Sequence, residues 1–257
     1  MQALCPCYAR TLVRRALVIV AKAPLAGATK TRLVPPLSEA AAAELSRAFL
    51  LDTLAVARAL EWERIALMHP RGHGPVLRSL CEEVALVEQP AEGLCDALTY
   101  AFEHHFALGY DRVILIGSDN PTLSAAPIVA AEQAQDLAIG PTRDGGYYLI
   151  GMRQPHPELF VDIEWSTPRV FSETLFRARE LRLQVDLVQE WYDVDEAADL
   201  DVLINELNTL PSSVAAHTRA VLDRYEDGWP RSAAQGVGVG DPPGNLAGMP
   251  AARQDHH

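Results

Sequence analysis

The chain has 257 residues, enough for one α/β domain with a full core or for two small domains. Apolar residues make up 49% and charged residues 22%, which are globular values and not those of a disordered or fibrous chain. The formal net charge of −12 argues against a nucleic-acid or anionic-membrane surface, and no stretch reaches the ~18 apolar residues of a membrane helix.

Residues 1–14 read as an irregular extension. They lack the basic-then-apolar order of a signal peptide, so a soluble, cytoplasmic protein is expected. The four cysteines (Cys5, Cys7, Cys81, Cys95) are then reduced thiols. Cys5-Pro6-Cys7 is too tight for a metal knuckle and has no second pair. Residues 15–21, Arg-Ala-Leu-Val-Ile-Val-Ala, are a continuous β-branched apolar run, the pattern of a buried parallel strand. Residues 22–37 contain Pro24, Pro35 and Pro36 and read as a loop. Ser38 is placed to cap a long Ala/Leu-rich helix over 38–60.

Further strands are expected at 64–69, 84–88, 111–117, 136–140, 147–152 and 184–188. Helices are expected at 75–82, 92–108, 124–134, 168–182, 196–208 and 212–225. The alternation predicts an α/β fold: a mostly parallel sheet with helices on both faces and ligands beyond the carboxyl ends of the strands. From Gly228 on, 10 of 30 residues are Gly or Pro, so residues 226–257 are expected to be a disordered tail.

Only two lysines occur, Lys22 and Lys30; the other 20 basic residues are arginine. Both lie in Lys22-Ala23-Pro24-Leu25-Ala26-Gly27-Ala28-Thr29-Lys30-Thr31-Arg32-Leu33, directly after the first apolar strand. Ammonium and guanidinium are not interchangeable at a tight phosphate site, so the segment reads as a phosphate-gripping loop; two isolated surface lysines are the plainer alternative. The string Gly117-Ser118-Asp119-Asn120-Pro121 puts one carboxylate just past a buried strand. Asp119 either caps the next helix or, with Ser124 better placed for that, holds a hard divalent cation.

Asp144-Gly145-Gly146-Tyr147-Tyr148 suits a hairpin turn, yet it runs straight into an apolar strand. Its glycines would let a ligand approach, its tyrosines would wall a pocket, and Asp144 would act as a base or hydroxyl acceptor. Asp193-Val194-Asp195 precedes an Ala/Leu helix, where Asp195 is equally a helix-terminal charge and a metal ligand, with Asp193 in reserve. Trp165 is as much a core as a pocket residue. The eight histidines show no ligand spacing, and His69 and His73 merely flank a turn.

Taken together, these four strings resemble the DUF2064 family of glycosyltransferase-like proteins, within the GT-A-type nucleotide-diphospho-sugar transferase superfamily. They stand in the family's order and span residues 16 to about 205; one departure is Asn120, where the family usually shows Cys. The resemblance implies a three-layer α/β/α GT-A fold over residues 15–225. It implies Lys22, Ala23, Pro24, Gly27, Lys30 and Arg32, with Ser118, along a nucleotide diphosphate. Asp119 and Asp195 would hold Mg²⁺ or Mn²⁺. Asp144, Gly145, Gly146, Tyr147, Tyr148 and Trp165 would shape the acceptor side, and Asp144, Lys30 and Asp119 would carry catalysis.

The activity so implied is sugar transfer from a nucleotide-diphospho-sugar to a small-molecule acceptor. The alternative within the same superfamily is nucleotidyl transfer with pyrophosphate release. A binding module that has lost turnover is the third possibility.

Overall fold

The computed structural model describes residues 13–90 and 93–225; the expectations for the first twelve residues, for Cys5 and Cys7, and for the tail from 226 lie outside the described residues. Among the described residues seven strands, β1 (Arg15–Val20), β2 (Arg64–His69), β3 (Ala85–Glu88), β4 (Arg112–Gly117), β5 (Leu137–Pro141), β6 (Tyr147–Met152) and β7 (Val185–Leu187), form one sheet in the order β3-β2-β1-β4-β6-β5-β7. All neighbours are parallel except β6, which runs antiparallel to both β4 and β5. The β5–β6 hairpin is the Asp-Gly-Gly segment, so its turn chemistry produces the reversal.

Strand alternation sorts the core. Leu17, Ile19, Ile114 and Ile116 face one side, where α1 (Glu39–Ala59), α2 (Gly74–Leu80) and α4 (Ala125–Glu132) cover them. Ala16, Val18, Val113 and Leu115 face the other, under α3 (Leu94–Ala107) and α5 (Val170–Glu180). This is the expected three-layer arrangement. A third cluster joins α1 to α6 (Ala197–Leu207) and α7 (Ala216–Leu222) through Leu45, Phe49, Leu200 and Val221. Among the described residues no helix is long and apolar enough to cross a membrane.

The caps explain where the expected boundaries move. Ser38 does cap α1, its hydroxyl accepting from the Ala41 amide at 3.2 Å. The last helix starts at Ala216 and not at 212, because its cap comes from outside the segment. Asp52 of α1, 5% exposed, accepts from the His217 amide (3.0 Å), the Thr218 amide (2.9 Å) and the Thr218 hydroxyl (2.6 Å). Asp52→Ala strands those donors and should cost about 2 kcal/mol. Urea unfolding should show a lower midpoint with an unchanged slope; a shift below about 0.5 kcal/mol would mean that α7 docks by packing alone.

Candidate active site

Three segments meet at the carboxyl edge of the sheet. The first is the loop after β1. Ala23 is fully buried; its carbonyl accepts from the Thr29 hydroxyl (2.7 Å) and the Leu25 amide (2.9 Å). Gly27 turns with φ +74°, leaving room for the Glu39 carboxylate, which would lie 3.1 Å from any Cβ placed there. Lys30 itself adopts a left-handed conformation (φ 52°, ψ 39°), uncommon for a lysine, and this turn swings its side chain inward over Phe49.

The second segment follows β4 and the third precedes α6, and hydrogen bonds zip them together. The Val194 amide donates to the Asp119 carbonyl (3.0 Å). The buried Asn120 amide donates to the Tyr192 carbonyl (2.5 Å) and to Asp193 Oδ1 (2.6 Å). Asn120 is therefore a clamp: at the position where the resemblance marks a departure, Asn for Cys, the side chain turns into the protein, and its own carbonyl oxygen is buried without a partner. Asp199 accepts from the Asp195 amide (3.0 Å) and the Glu196 amide (2.7 Å), so it satisfies the start of α6 and leaves the Asp195 carboxylate free for other work.

That work is to hold Lys30. The Lys30 Nζ lies 2.9 Å from Asp119 Oδ1, 2.7 Å from Asp195 Oδ1 and 2.8 Å from the Val194 carbonyl. The lysine side chain is 4% exposed, the two carboxylates 41% and 46%. Burial alone would depress the Lys30 pKa; attraction by Asp119 and Asp195 overrides it and holds the ammonium above the ordinary lysine value. Asp193, squeezed by burial and by the Asp119 charge, is pushed up to about 7 despite its bond from Asn120. The site carries excess negative charge around one internal cation.

The structure thus brings together Lys30, Asp119 and Asp195, with Ser118 half-buried beside them in sequence. Lys22 is exposed on the same loop, and Arg32, also exposed, pairs with Glu196 at 3.7 Å. The acceptor-side residues take other positions. Tyr147 and Tyr148 alternate across β6 into opposite cores, so the pair does not form a common wall. Tyr148 is 3% exposed and donates to the Gln189 carbonyl (2.8 Å), and Trp165 lies against Phe160. Asp144 accepts from the Thr142 hydroxyl (2.5 Å) and the Gly146 amide (3.1 Å) within its own turn. Gly145 (φ +91°) is glycine because a Cβ would sit 2.1 Å from the Pro168 carbonyl oxygen; the close approach it permits is that of the chain.

Among the described residues no three His, Cys, Asp or Glu side chains converge to hold a metal alone. Asp119 and Asp195 nevertheless suit a hard divalent ion. They are oxygen donors already gathered around positive charge, and their exposure leaves the outer carboxylate edges open. Such a pair needs substrate oxygens to complete the shell.

The fold is the nucleotide-diphospho-sugar transferase fold. The family model described as "uncharacterized protein conserved in bacteria (DUF2064)" matches residues 51–167. A solved structure from Desulfovibrio desulfuricans G20, provisionally named a nucleotide-diphospho-sugar transferase, is 30% identical, with a TM-score of 0.73, over 82% of this chain and 97% of that one. The chain belongs to the DUF2064 family. Two more distant structures share the fold. A nucleotidyl transferase from Methanothermobacter thermautotroptrophicus is 14% identical, with a TM-score of 0.53, over 77% of this chain and 99% of that one. The inositol-1-phosphate CTP transferase of T. maritima is 14% identical, with a TM-score of 0.50, over 81% and 96%. No curated protein matches the chain in sequence.

Proposed function

We propose that the chain is a metal-dependent glycosyltransferase-like enzyme that moves a sugar from a nucleotide-diphospho-sugar to a small-molecule acceptor. The observation that carries this is the ammonium of Lys30 fixed between Asp119 and Asp195 on a loop edge that faces solvent. The name of the 30%-identical relative points the same way.

Breaking a sugar–phosphate bond leaves a nucleoside diphosphate with added negative charge. Asp119 and Asp195 would hold Mg²⁺ or Mn²⁺, which would supply Lewis-acid neutralisation of that charge. Lys30 sets the spacing of the two carboxylates and lowers their mutual repulsion, so the site is organised before substrate arrives. The exposed Lys22, together with the backbone from Pro24 to Gly27 and with Arg32 and Ser118, would line the diphosphate; Ala23, expected beside them, is fully buried with its amide and carbonyl already taken. Asp144 remains the candidate acceptor base; to act it would exchange the Thr142 hydroxyl for an acceptor hydroxyl.

The test is a thermal-shift panel of UDP-, GDP-, ADP- and dTDP-sugars against free nucleoside triphosphates, with and without Mn²⁺. A nucleotide-sugar should raise the melting point only with the metal, and the metal alone should do little. Pyrophosphate release from a triphosphate would replace sugar transfer with nucleotidyl transfer.

A further inference from the structure

Asp119 and Asp195 hold the Lys30 end of the loop that carries both lysines, and its Lys22 end is pinned by a side chain that the sequence gives no reason to select. β1 and β2 are parallel, and their ladder runs on through the Ala21 amide to the Met68 carbonyl (3.0 Å). The next inward-facing amide, that of Ala23, has no strand partner. It donates instead to Nδ1 of His73, at 2.8 Å, from the residue that precedes α2. With the Ala23 carbonyl held by Thr29 and Leu25, His73 completes the fixation of a fully buried residue lying between exposed Lys22 and the turn toward Lys30.

An imidazole nitrogen accepts only when it carries no proton, so this bond exists only with neutral His73. Protonation would set an N–H against the Ala23 N–H, and this bond is lost. The titratable groups acting on it are His69 at the end of β2 and Lys22 on the loop; on the turn before it, the Arg71 guanidinium donates to the Pro90 carbonyl and Glu88 on β3 accepts from the Gly72 amide. Burial, His69 and Lys22 all oppose protonation of His73.

We propose that His73 is a positioning residue: as a neutral imidazole it holds the lysine-bearing loop in its anion-binding shape, and on protonation it releases it. This rests on the phosphate role of that loop proposed above.

The test compares wild type, His73→Asn, whose carbonyl oxygen stands where Nδ1 stood but does not titrate, and His73→Phe. Amide hydrogen exchange by NMR should show Ala23 protected in wild type at pH 7.5. That protection should fall about tenfold for each unit below the imidazole pKa. It should stay constant in His73→Asn and be missing in His73→Phe, with Ala21 protected throughout. The affinity for inorganic pyrophosphate with Mg²⁺, taken as the ratio of wild type to His73→Asn, cancels the titration of the probe itself. That ratio should be near one at pH 7.5 and drop about tenfold one unit below the imidazole pKa. Ala23 protection that survives in His73→Phe, or a ratio that stays flat, overturns the proposal. Absence of pyrophosphate binding by both proteins at pH 7.5 refutes the phosphate site itself and the positioning role with it, whereas the exchange data would still report the histidine–backbone bond.

Discussion

Lys30→Met should destabilise the protein by about 3 kcal/mol at neutral pH and abolish transfer. The ammonium is 4% exposed and makes three polar contacts, two of them with carboxylates. Its removal leaves Asp119 and Asp195 facing each other with Asp193 behind them and no counter-charge. Breaking a fully buried pair costs about 3–5 kcal/mol. The lower end applies here because the carboxylates are 41% and 46% exposed, and water screens part of their repulsion. The double variant Lys30→Met/Asp195→Asn should regain most of the lost stability without regaining activity, since it lowers the repulsion but leaves the site one carboxylate short. Lys30→Arg should fail as well: a planar fork cannot aim one point charge at two carboxylates and the Val194 carbonyl from a left-handed turn. Urea unfolding of the four proteins decides the matter. A loss below about 1 kcal/mol in Lys30→Met would mean that the lysine is a free phosphate ligand and not a built-in cation.

β1 and β4 were legible because each holds a continuous β-branched apolar run, Leu-Val-Ile-Val and Val-Ile-Leu-Ile, whereas β7 is only Val-Asp-Leu and was placed by the strand–helix alternation. The edge-site pairing of Lys30 with Asp119 and Asp195 was only half legible. Composition singles out the lysine, and the spacing after strands singles out the aspartates, but nothing local shows that residues 30, 119 and 195 share one ion-pair network. The sequence leaves Asp195 open between cap and ligand, and the structure decides the cap by giving both amides at the start of α6 to Asp199. The partners of Asn120 and His73 were not legible. Each acts through a backbone group far along the chain, Tyr192 and Ala23, and such bonds leave no periodic or compositional trace. The tyrosine pair misled for a related reason: polar-tipped rings beside a glycine turn look like a pocket, yet strand alternation sends one into each core.

Asp119→Asn separates function from architecture. It removes one of two carboxylates available to a divalent ion, and turnover should fall on the order of 10³-fold, the scale of a lost metal or oxyanion contact. Stability should move by less than about 1 kcal/mol, because the Asp119 pair is partly exposed and Lys30 keeps Asp195 and the Val194 carbonyl. The substitution also takes one negative charge away from Asp193, whose carboxyl is raised partly by Asp119. That relief offsets part of the lost attraction to Lys30. Melting curves with nucleotide-sugar, with and without Mn²⁺, should therefore coincide for Asp119→Asn and separate for wild type. A metal-dependent shift that persists in the variant would remove Asp119 from the cation site. A variant that unfolds as readily as Lys30→Met would make the carboxylate a structural counter-ion, leaving the cation to be held elsewhere.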